Sequence, residues 1–447
     1  MRTIQTSFQV VLTCVISGCL GLLLISGLPW SYILGFLTVM GFGITFFVNP
    51  LLLLGGLLFF RAGIDSFLVN IRFLVSGVDL GLGGGFSLML VVLTFVAFLI
   101  DRDETFLSRI NHTLIKLLAS FCFFTIFNAT YSFEESAAFK IILRNFSMLT
   151  IVVLCVMKVR KDEDAQFLLK AITWSFIPSI AIGFISGDSL YKEIRGMRYC
   201  ASLSHPNILA FYLLVVMACL LAGFQGRDSG LRSRLMTSAG LTVLLGMLVY
   251  TRTRGGYAAS VILFLSYSWF NNRRLIIPVV VLCACALLLP VVNDSIFSLL
   301  NVDHGKVSLN EESSFAWRLE KWGYLLKEGI NKPILGHGLG ASKHFGTDSL
   351  AAHNVYIQFF LESGIVGLFL YFAPYVYLII SALRTRKQEP QDSLLFKTAN
   401  FFLIFIPSFL IMSISENLAS YVIIQWYFWA VVGIFISLTW RKKHAQS

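Results

Sequence analysis

The sequence predicts an all-α polytopic membrane protein, and three observations lead to that fold class. Of the 447 residues, 57% are hydrophobic and only 13% are charged, whereas a soluble protein carries roughly 25% charged residues. The apolar residues are grouped in runs, most of them long enough to cross a bilayer as helices. Basic residues recur in the alternate loops that the positive-inside rule assigns to the cytoplasm.

Fourteen membrane spans are predicted, and twelve is the lower bound because 31–60 also fits one hairpin or one bent helix. The first run is not followed by a clear cleavage site and therefore predicts a retained span. The spans lie at 8–26, 31–48, 50–60, 86–101, 114–130, 140–157, 168–186, 207–224, 236–251, 256–271, 275–292, 364–383, 397–414 and 418–439.

The spans predict three regions along the chain. Residues 1–190 form an N-terminal transmembrane bundle, and residues 386–447 form C-terminal transmembrane helices. Between them, residues 191–385 form a core that includes one long outer loop, 293–352, carrying short helices. The sequence GLGGG at 81–85 predicts a flexible outer turn. It is not interpreted as a phosphate loop, because no strand is predicted before it and no Lys-Ser/Thr follows it.

Loop charge predicts the orientation. From residue 102 onward every inner loop has at least two basic residues, such as Lys158, Arg160 and Lys161. Both termini are therefore expected in the cytoplasm, and the long loop is expected outside. The segment 61–85 fits this pattern least well, because it is placed outside and carries Arg61 and Arg72. The net charge of +11 is explained by loop orientation, so no nucleic-acid partner is expected.

Several outer segments are basic against this rule, and they predict a binding site. The clusters lie around Arg198, at Arg252 and Arg254, and at Arg318 in the long loop. Each single cluster also fits side chains that reach the lipid headgroups. Several clusters on one face favour a site for an anionic ligand such as a phosphate.

The stretch 313–367 supplies the other candidate functional residues. Ser314 is placed to cap a helix that begins near Phe315. His337 lies among closely spaced glycines, which predict an irregular turn. His353 and Asn354 begin a helix whose Asn354, Gln358 and Glu362 fall on one face, and such a polar stripe beside a membrane indicates a wet cavity.

A histidine beside several arginines suits one kind of reaction. The histidine can take a proton from an attacking hydroxyl. The arginines can stabilise a pyrophosphate leaving group, as a metal ion does elsewhere. No outer group of Asp, Glu and His has convincing metal-ligand spacing, and no nucleotide or cofactor motif is present. These residues therefore predict a metal-independent and cofactor-independent transfer from a lipid pyrophosphate.

Four short motifs resemble the O-antigen ligase/polymerase family of bacterial envelope proteins, over about 190–385. The first spans 198–207, with Ala201 where the family has glycine, and the second spans 251–255, with Thr253 in place of serine. The third joins 313–318 to 333–338, and the fourth spans 353–367. The matching residues are Arg198, Pro206, Asn207, Thr251, Arg254, Gly255, Ser313, Ser314, Arg318, Pro333, Gly336, Gly338, His353, Asn354, Gly364 and Gly367.

The resemblance implies transfer of a glycan from undecaprenyl pyrophosphate to a hydroxyl outside the bacterial inner membrane. It implies that His353 is the catalytic base and that Arg198, Arg254 and Arg318 bind the diphosphate. The expected partners are the lipid-linked glycan donor, a glycan or lipid A–core acceptor, membrane lipid and a chain-length regulator protein. Supporting roles are expected for Asn207, Arg252, Ser314, His337, Asn354 and Glu362.

The acceptor remains open at this point. A polymerase, of O-antigen or exopolysaccharide repeat units, is favoured by the similarity of the stretch around Arg318. A ligase would attach the finished chain to lipid A–core, and a third kind of member glycosylates secreted protein. A lipid-linked sugar flippase or other transporter is the alternative from another class. A transporter is expected to have charged residues in mid-span, whereas those of this chain gather at the faces.

Overall fold

The structure is a computed structural model that describes residues 41–445, except for 42, 47, 66–67, 69–71, 76–77, 101–103, 187–189, 194–195, 225–229, 291, 294–313 and 346–349. The chain divides into two units, Met1–Leu54 and Gly55–Ser447. The site described below lies within the second unit.

Helices dominate the described residues. They are α1 Pro50–Phe60, α2 Leu82–Ile100, α3 Glu104–Ile110, α4 Thr113–Ala129, α5 Glu135–Lys158, α6 Asp162–Trp174, α7 Phe176–Ser186, α8 Pro206–Ala222, α9 Leu231–Tyr250, α10 Arg254–Asn271, α11 Ile276–Ala286, α12 Ser314–Asn331, α13 Val355–Gln388, α14 Leu394–Ser415 and α15 Val422–Ala445. Short 3₁₀ turns lie at Arg273–Leu275, Ala341–Lys343 and Leu418–Ser420.

The predicted fold class is confirmed. The twelve predicted spans from 50–60 onward overlap helices, while 8–26 lies outside the described residues and 31–48 lies mostly outside them. Six helical stretches in the described part of the chain are long and apolar enough to cross a membrane. The span 168–186 is divided into α6 and α7 at Ser175. The count of fourteen remains a prediction.

Two short antiparallel ribbons were not anticipated from the sequence. Strands β1 (Arg72–Val75) and β2 (Val78–Gly81) form the first ribbon, and β3 (Leu190–Glu193) and β4 (Gly196–Tyr199) form the second. The predicted flexible turn at 81–85 was wrong, because α2 begins at Leu82 directly after β2. Glycine weakens a helix by only about 0.5–1 kcal/mol per residue, and the apolar run that follows supplies the packing that stabilises most helices.

Helix α13 is interrupted at Gly364. This glycine has φ 62° and ψ −166°, a conformation that is essentially restricted to glycine. Residues 332–343, called here the clamp loop, cross the interruption. Its carbonyls at Pro333 and Ile334 accept hydrogen bonds from the amides of residues 365 and 366, at 2.8 and 3.3 Å. The amides of His337 and Gly338 donate to the carbonyls of residues 361 and 362, at 2.8 and 2.9 Å. The clamp loop therefore satisfies backbone groups that the break leaves without helical partners.

Helix α14 positions the site. It packs against α8, α10 and α13, and most of its side chains are buried. Aromatic rings fix it in place, since Phe409 stacks on Tyr375 of α13 and on Phe428 of α15, at centroid distances of 5.0 and 6.2 Å. Its end, Ser415–Glu416, is thus held rigidly among elements that are distant in sequence.

Candidate functional site

Glu416 is the centre of a polar cluster just after the last residue of α14. Its carboxylate is 2% exposed and accepts hydrogen bonds from four other segments. Asn207 Nδ2 lies 2.5 Å from Oε1, and Arg318 Nη2 lies 3.4 Å from the same atom. Tyr421 Oη and His353 Nδ1 lie 2.8 and 3.1 Å from Oε2. One carboxylate therefore joins three of the predicted site residues. We call Glu416 and the groups bound to it the Glu416 cluster.

The cluster keeps the Glu416 carboxylate ionised. Burial raises the pKa of Glu416. The hydrogen bond and charge of His353, the charge of Arg318 and the hydroxyl of Tyr421 together lower this pKa by more than burial raises it. The net result is a pKa below the ordinary value for glutamate. An ionised carboxylate can only accept hydrogen bonds, so His353 Nδ1 carries the hydrogen in this contact. In the neutral ring, Nε2 is then the nitrogen that can accept a proton.

His353 is held in place by its backbone as well as by Glu416. It has φ +48° and precedes Asn354, the N-cap residue of α13, whose side chain accepts from the amides of residues 356 and 357. The Asn354 amide in turn donates to Asn417 Oδ1 at 3.0 Å. The His353 side chain is 33% exposed and lies edge-on to Trp317, with 6.1 Å between ring centroids. It is therefore oriented and still accessible.

Arg198 on β4 ties a second segment to the cluster. Its Nε donates to the Thr251 carbonyl at 2.8 Å. Its Nη2 donates to Asn207 Oδ1 at 2.8 Å and to Thr253 Oγ1 at 3.0 Å. Asn207 accepts from Arg198 through one side-chain atom and donates to Glu416 through the other, so it links the first two predicted motifs to the carboxylate.

Arg254 begins α10 beside these contacts. It follows Thr253, which accepts from Arg198, and precedes Gly255. A Cβ atom at Gly255 would lie 2.4 Å from Ser415 Oγ, so α10 starts in close contact with the end of α14. The carbonyl of Ser415 accepts from Arg318 Nη1 at 3.1 Å. The backbone of Arg254 is therefore positioned between the anchoring contacts of the other two predicted arginines.

Backbone strain is concentrated at this site. Among the described residues, positive φ values at residues other than glycine occur at Ala201, Arg252 and His353. Arg252 is exposed and lies between the two threonines that contact Arg198. Ala201, which replaces the family glycine, has φ +50° and keeps the left-handed backbone that glycine favours. Such strain persists where the surroundings enforce it, and it is typical of functional sites.

Two of the predicted supporting residues belong to another cluster. Glu362, 4% exposed, accepts from the amide and hydroxyl of Ser342 at 3.3 and 2.7 Å and from Gln358 Nε2 at 3.2 Å. His337 Nε2 lies 2.9 Å from the Glu328 carbonyl, and its ring contacts Phe345 at 4.8 Å. Glu362 thus contacts the clamp loop, and His337 contacts α12. Neither of these contacts joins them to Glu416. Ser314 is the first residue of α12.

Glu416, Tyr421 and Asn417 were not predicted as site residues. The turn 415–417 carries no basic residue, so the charge pattern that marked the other site residues did not mark this turn. A usable signal was present, because Glu416 is the only acidic residue after Asp392. It stands between two long apolar spans, where an unpaired carboxylate is costly. Within the described residues, no group of three or more His, Cys, Asp or Glu is arranged to hold a metal ion.

Comparison with known families agrees with the motifs. The family model described as O-Antigen ligase matches residues 239–372, which contain Arg254, Arg318 and His353 but not Arg198 or Glu416. No curated protein matches the chain. The match supports the predicted resemblance to the O-antigen ligase/polymerase family and a glycan-transfer role in O-antigen assembly, and the six long apolar helices in the described residues indicate an integral membrane protein.

Proposed function

We propose that the protein transfers a glycan from an undecaprenyl-pyrophosphate-linked saccharide to a hydroxyl acceptor at the Glu416 cluster. The observation that carries this proposal is the contact of His353 Nδ1 with the buried Glu416 carboxylate, at 3.1 Å. This arrangement orients the ring and leaves Nε2 for proton transfer, as a carboxylate does for the histidine of a hydrolase triad.

In the proposed reaction the acceptor oxygen attacks the anomeric carbon of the donor sugar. His353 Nε2 takes the proton of that hydroxyl as the new C–O bond forms. The bond between the anomeric carbon and the diphosphate oxygen breaks, and undecaprenyl diphosphate leaves with the electron pair. Glu416 stabilises the imidazolium that forms, and it does not itself take the proton.

The arginines are proposed to bind the diphosphate. Arg198 and Arg318 are anchored through Asn207, Ser415 and Glu416, so their guanidinium groups are held before the donor arrives. Arg318 contacts Glu416 directly, Arg198 is joined to it through Asn207, and Arg254 begins α10 beside them. Three such cations against one carboxylate are expected to give a net positive site that favours the leaving group. The charge stabilisation that a metal ion supplies elsewhere then comes from the side chains, so the proposed transfer is metal-independent.

Two acceptors are compatible with this chemistry. Addition to another lipid-linked repeat unit, of O-antigen or exopolysaccharide, would make the protein a polymerase, and the stretch around Arg318 resembles that subgroup. Transfer to lipid A–core would make it a ligase, which is the description of the matching family. In the proposed setting the protein lies in the bacterial inner membrane, with both termini cytoplasmic and the Glu416 cluster periplasmic. A chain-length regulator is the proposed protein partner for polymerisation.

The purified full chain, incubated with lipid-linked oligosaccharide and lipid A–core, tests the proposal. Longer lipid-linked glycans would identify a polymerase, and glycan on lipid A–core would identify a ligase. Unchanged glycan would contradict both and would favour a transporter. Excess chelator is expected to leave the rate unchanged.

A pair of histidine variants separates catalysis from folding. His353→Ala should lose roughly 10²–10⁴-fold in rate while keeping the melting temperature and donor binding. His337→Ala is the matched control, because its ring is buried against Phe345 and contacts the Glu328 carbonyl of α12, and it should lower the melting temperature instead. Near wild-type turnover of His353→Ala would remove His353 as the base. Arg198→Lys should raise the KM for the donor, because a point charge cannot replace the bidentate fork.

A further inference from the structure

The peptide groups on either side of His353 are held by two side chains that have no part in the proposed reaction. The segment just before α13 lies outside the helices and strands, so no regular ladder of backbone hydrogen bonds fixes it. Trp322 Nε1 of α12 donates to the Ala352 carbonyl at 2.7 Å. Asn417 Oδ1 accepts from the Asn354 amide at 3.0 Å. Each bond comes from a segment that is distant in the sequence.

These two bonds act on the backbone torsion angles of His353. A peptide group is a rigid plane, and two such planes meet at the His353 Cα. The Ala352 carbonyl belongs to the plane before this atom, and the Asn354 amide belongs to the plane after it. His353 has φ +48°, a left-handed conformation that is unfavourable for a residue with a Cβ atom. Such a conformation persists only where the surroundings enforce it, and the two bonds hold both planes.

Trp322 is itself held by apolar packing. Its partly buried ring packs against a buried apolar cluster between α12 and α13, which consists of Leu325, Ala352, Ile357 and Leu361. The N–H of an indole in such a setting usually has an acceptor, and a buried backbone carbonyl needs a donor. One bond satisfies both groups and fixes the indole relative to the backbone of His353.

The same helix carries one of the arginines proposed to bind the diphosphate. Arg318 and Trp322 are four residues apart and therefore lie on the same face of α12. Arg318 Nη1 donates to the Ser415 carbonyl at 3.1 Å, and Nη2 lies 3.4 Å from Glu416 Oε1. Helix α12 therefore connects the proposed diphosphate-binding side of the site to the backbone of the proposed base.

We propose that Trp322 is a positioning residue for His353, with Asn417 holding the opposite peptide plane. Trp322 fixes the direction in which the His353 side chain leaves the backbone, whereas Glu416 fixes the rotation of the imidazole. Together they direct Nε2 at the acceptor hydroxyl, where a displacement of about 1 Å is enough to cost roughly 10²-fold in rate. This inference rests on the proposed function, because it requires His353 to be the base.

Trp322→Phe removes the indole donor and keeps an aromatic ring in the apolar cluster. In the purified full chain, kcat should fall by about 10–100-fold, while the KM for the donor stays within about twofold because Arg318 remains in place. The matched control is Trp426→Phe, which removes an indole bond of 3.0 Å to Ser147 Oγ, between α15 and α5. It should lower the melting temperature to a similar extent and keep kcat within about twofold. Asn417→Ala, which frees the other peptide plane, should also lower kcat and keeps the inference testable should Trp322→Phe not fold.

A second background separates positioning from a general loss of structure. If Trp322 acts through His353, Trp322→Phe should lower the residual rate of His353→Ala by less than about threefold, because the group that it positions is absent. A loss by the same factor in both backgrounds, an equal loss of kcat in Trp426→Phe, or wild-type kcat in both Trp322→Phe and Asn417→Ala would overturn the positioning role alone. Near wild-type turnover of His353→Ala would instead overturn the proposed function, and this inference with it.

Discussion

Glu416 and Glu362 are two carboxylates with nearly equal burial and different surroundings. Glu362 accepts from neutral donors, the amide and hydroxyl of Ser342 and the Gln358 amide, and these contacts fix the clamp loop. Glu416 accepts from Arg318 and His353 as well as from neutral groups. Those two cationic or ionisable partners remain 25% and 33% exposed. Burial alone does not mark a functional carboxylate. Glu362 also has a cationic neighbour, Arg144, so the exposure of the charged and ionisable partners of Glu416 is what separates the two.

The largest expected effect comes from removing one charge at each carboxylate. Glu416→Gln should lower kcat by roughly 10²–10⁴-fold, because His353 would lose the partner that fixes its tautomer. Glu362→Gln should keep kcat within about tenfold and lower the free energy of unfolding by about 1–2 kcal/mol. Transfer rates and thermal unfolding of both variants check the comparison. Equal loss of kcat in the two variants would mean that the two clusters do not differ in role.

The next effect tests the clamp loop by itself. Gly364→Ala should lower the free energy of unfolding by about 3 kcal/mol, since the added Cβ would lie 2.2 Å from the Ile334 carbonyl oxygen in a backbone conformation unsuited to alanine. The control is Gly246→Ala in α9, where nothing lies within 4 Å of the added atom. That variant should be unchanged or more stable by up to about 1 kcal/mol. Similar stability of the two variants would remove the argument for a glycine-specific break.

A smaller effect should appear in the pH dependence of stability. The folded-state pKa of Glu416 lies below its ordinary value, so its contribution is complete above roughly pH 4.3 and is lost as pH falls through the folded pKa. The melting temperature of the wild type should therefore fall more steeply in acid than that of Glu416→Gln. Melting curves recorded from neutral pH to pH 3 would show the difference, and parallel curves would contradict it.

The smallest effect concerns the strained backbone near Arg198. Ala201→Gly removes the cost of an alanine in the left-handed conformation, about 1–2 kcal/mol. It also makes the unfolded chain more flexible, which lowers the free energy of unfolding by about 0.4–1 kcal/mol. Stability should thus rise by about 0–1.6 kcal/mol. Ala258→Gly, at an exposed position of α10, should instead cost about 1 kcal/mol. Thermal unfolding of the pair measures the contrast, and an equal loss in both would show that Ala201 is not strained.

Much of the fold was predictable because apolar runs and glycine spacing act locally. The ends of α1, α4 and α10 lie within two residues of the predicted limits. Three of the residues predicted outside, Arg198, Arg318 and His353, converge on Glu416, the first of them through Asn207. Motif reading also placed Asn207, Arg318 and His353 in one site.

The rest depended on contacts between distant segments. The local sequence marks Glu416 as an isolated carboxylate between two apolar spans, but it does not show that Glu416 binds residues 63 and 209 positions earlier, whereas Glu362 binds the clamp loop. His337 was predicted to support the same site as His353. Its partner, the Glu328 carbonyl, becomes visible only once the clamp loop is folded back onto α12. The ribbon that carries Arg198 was missed because its strands are four residues long.

The clamp loop and the interruption of α13 at Gly364 together form a joint, and this joint has a consequence for how such proteins diverge. Its four hydrogen bonds connect main-chain atoms on both sides, so the geometry depends on where the glycines stand and little on which side chains surround them. Substitutions at the apolar, non-glycine positions of 333–335 and 361–366 can therefore accumulate while the joint keeps its shape. A chain of this kind can lose overall similarity to its relatives and still retain the glycine spacing of its motifs, and Gly336, Gly338 and Gly364 all lie within the matched residues 239–372.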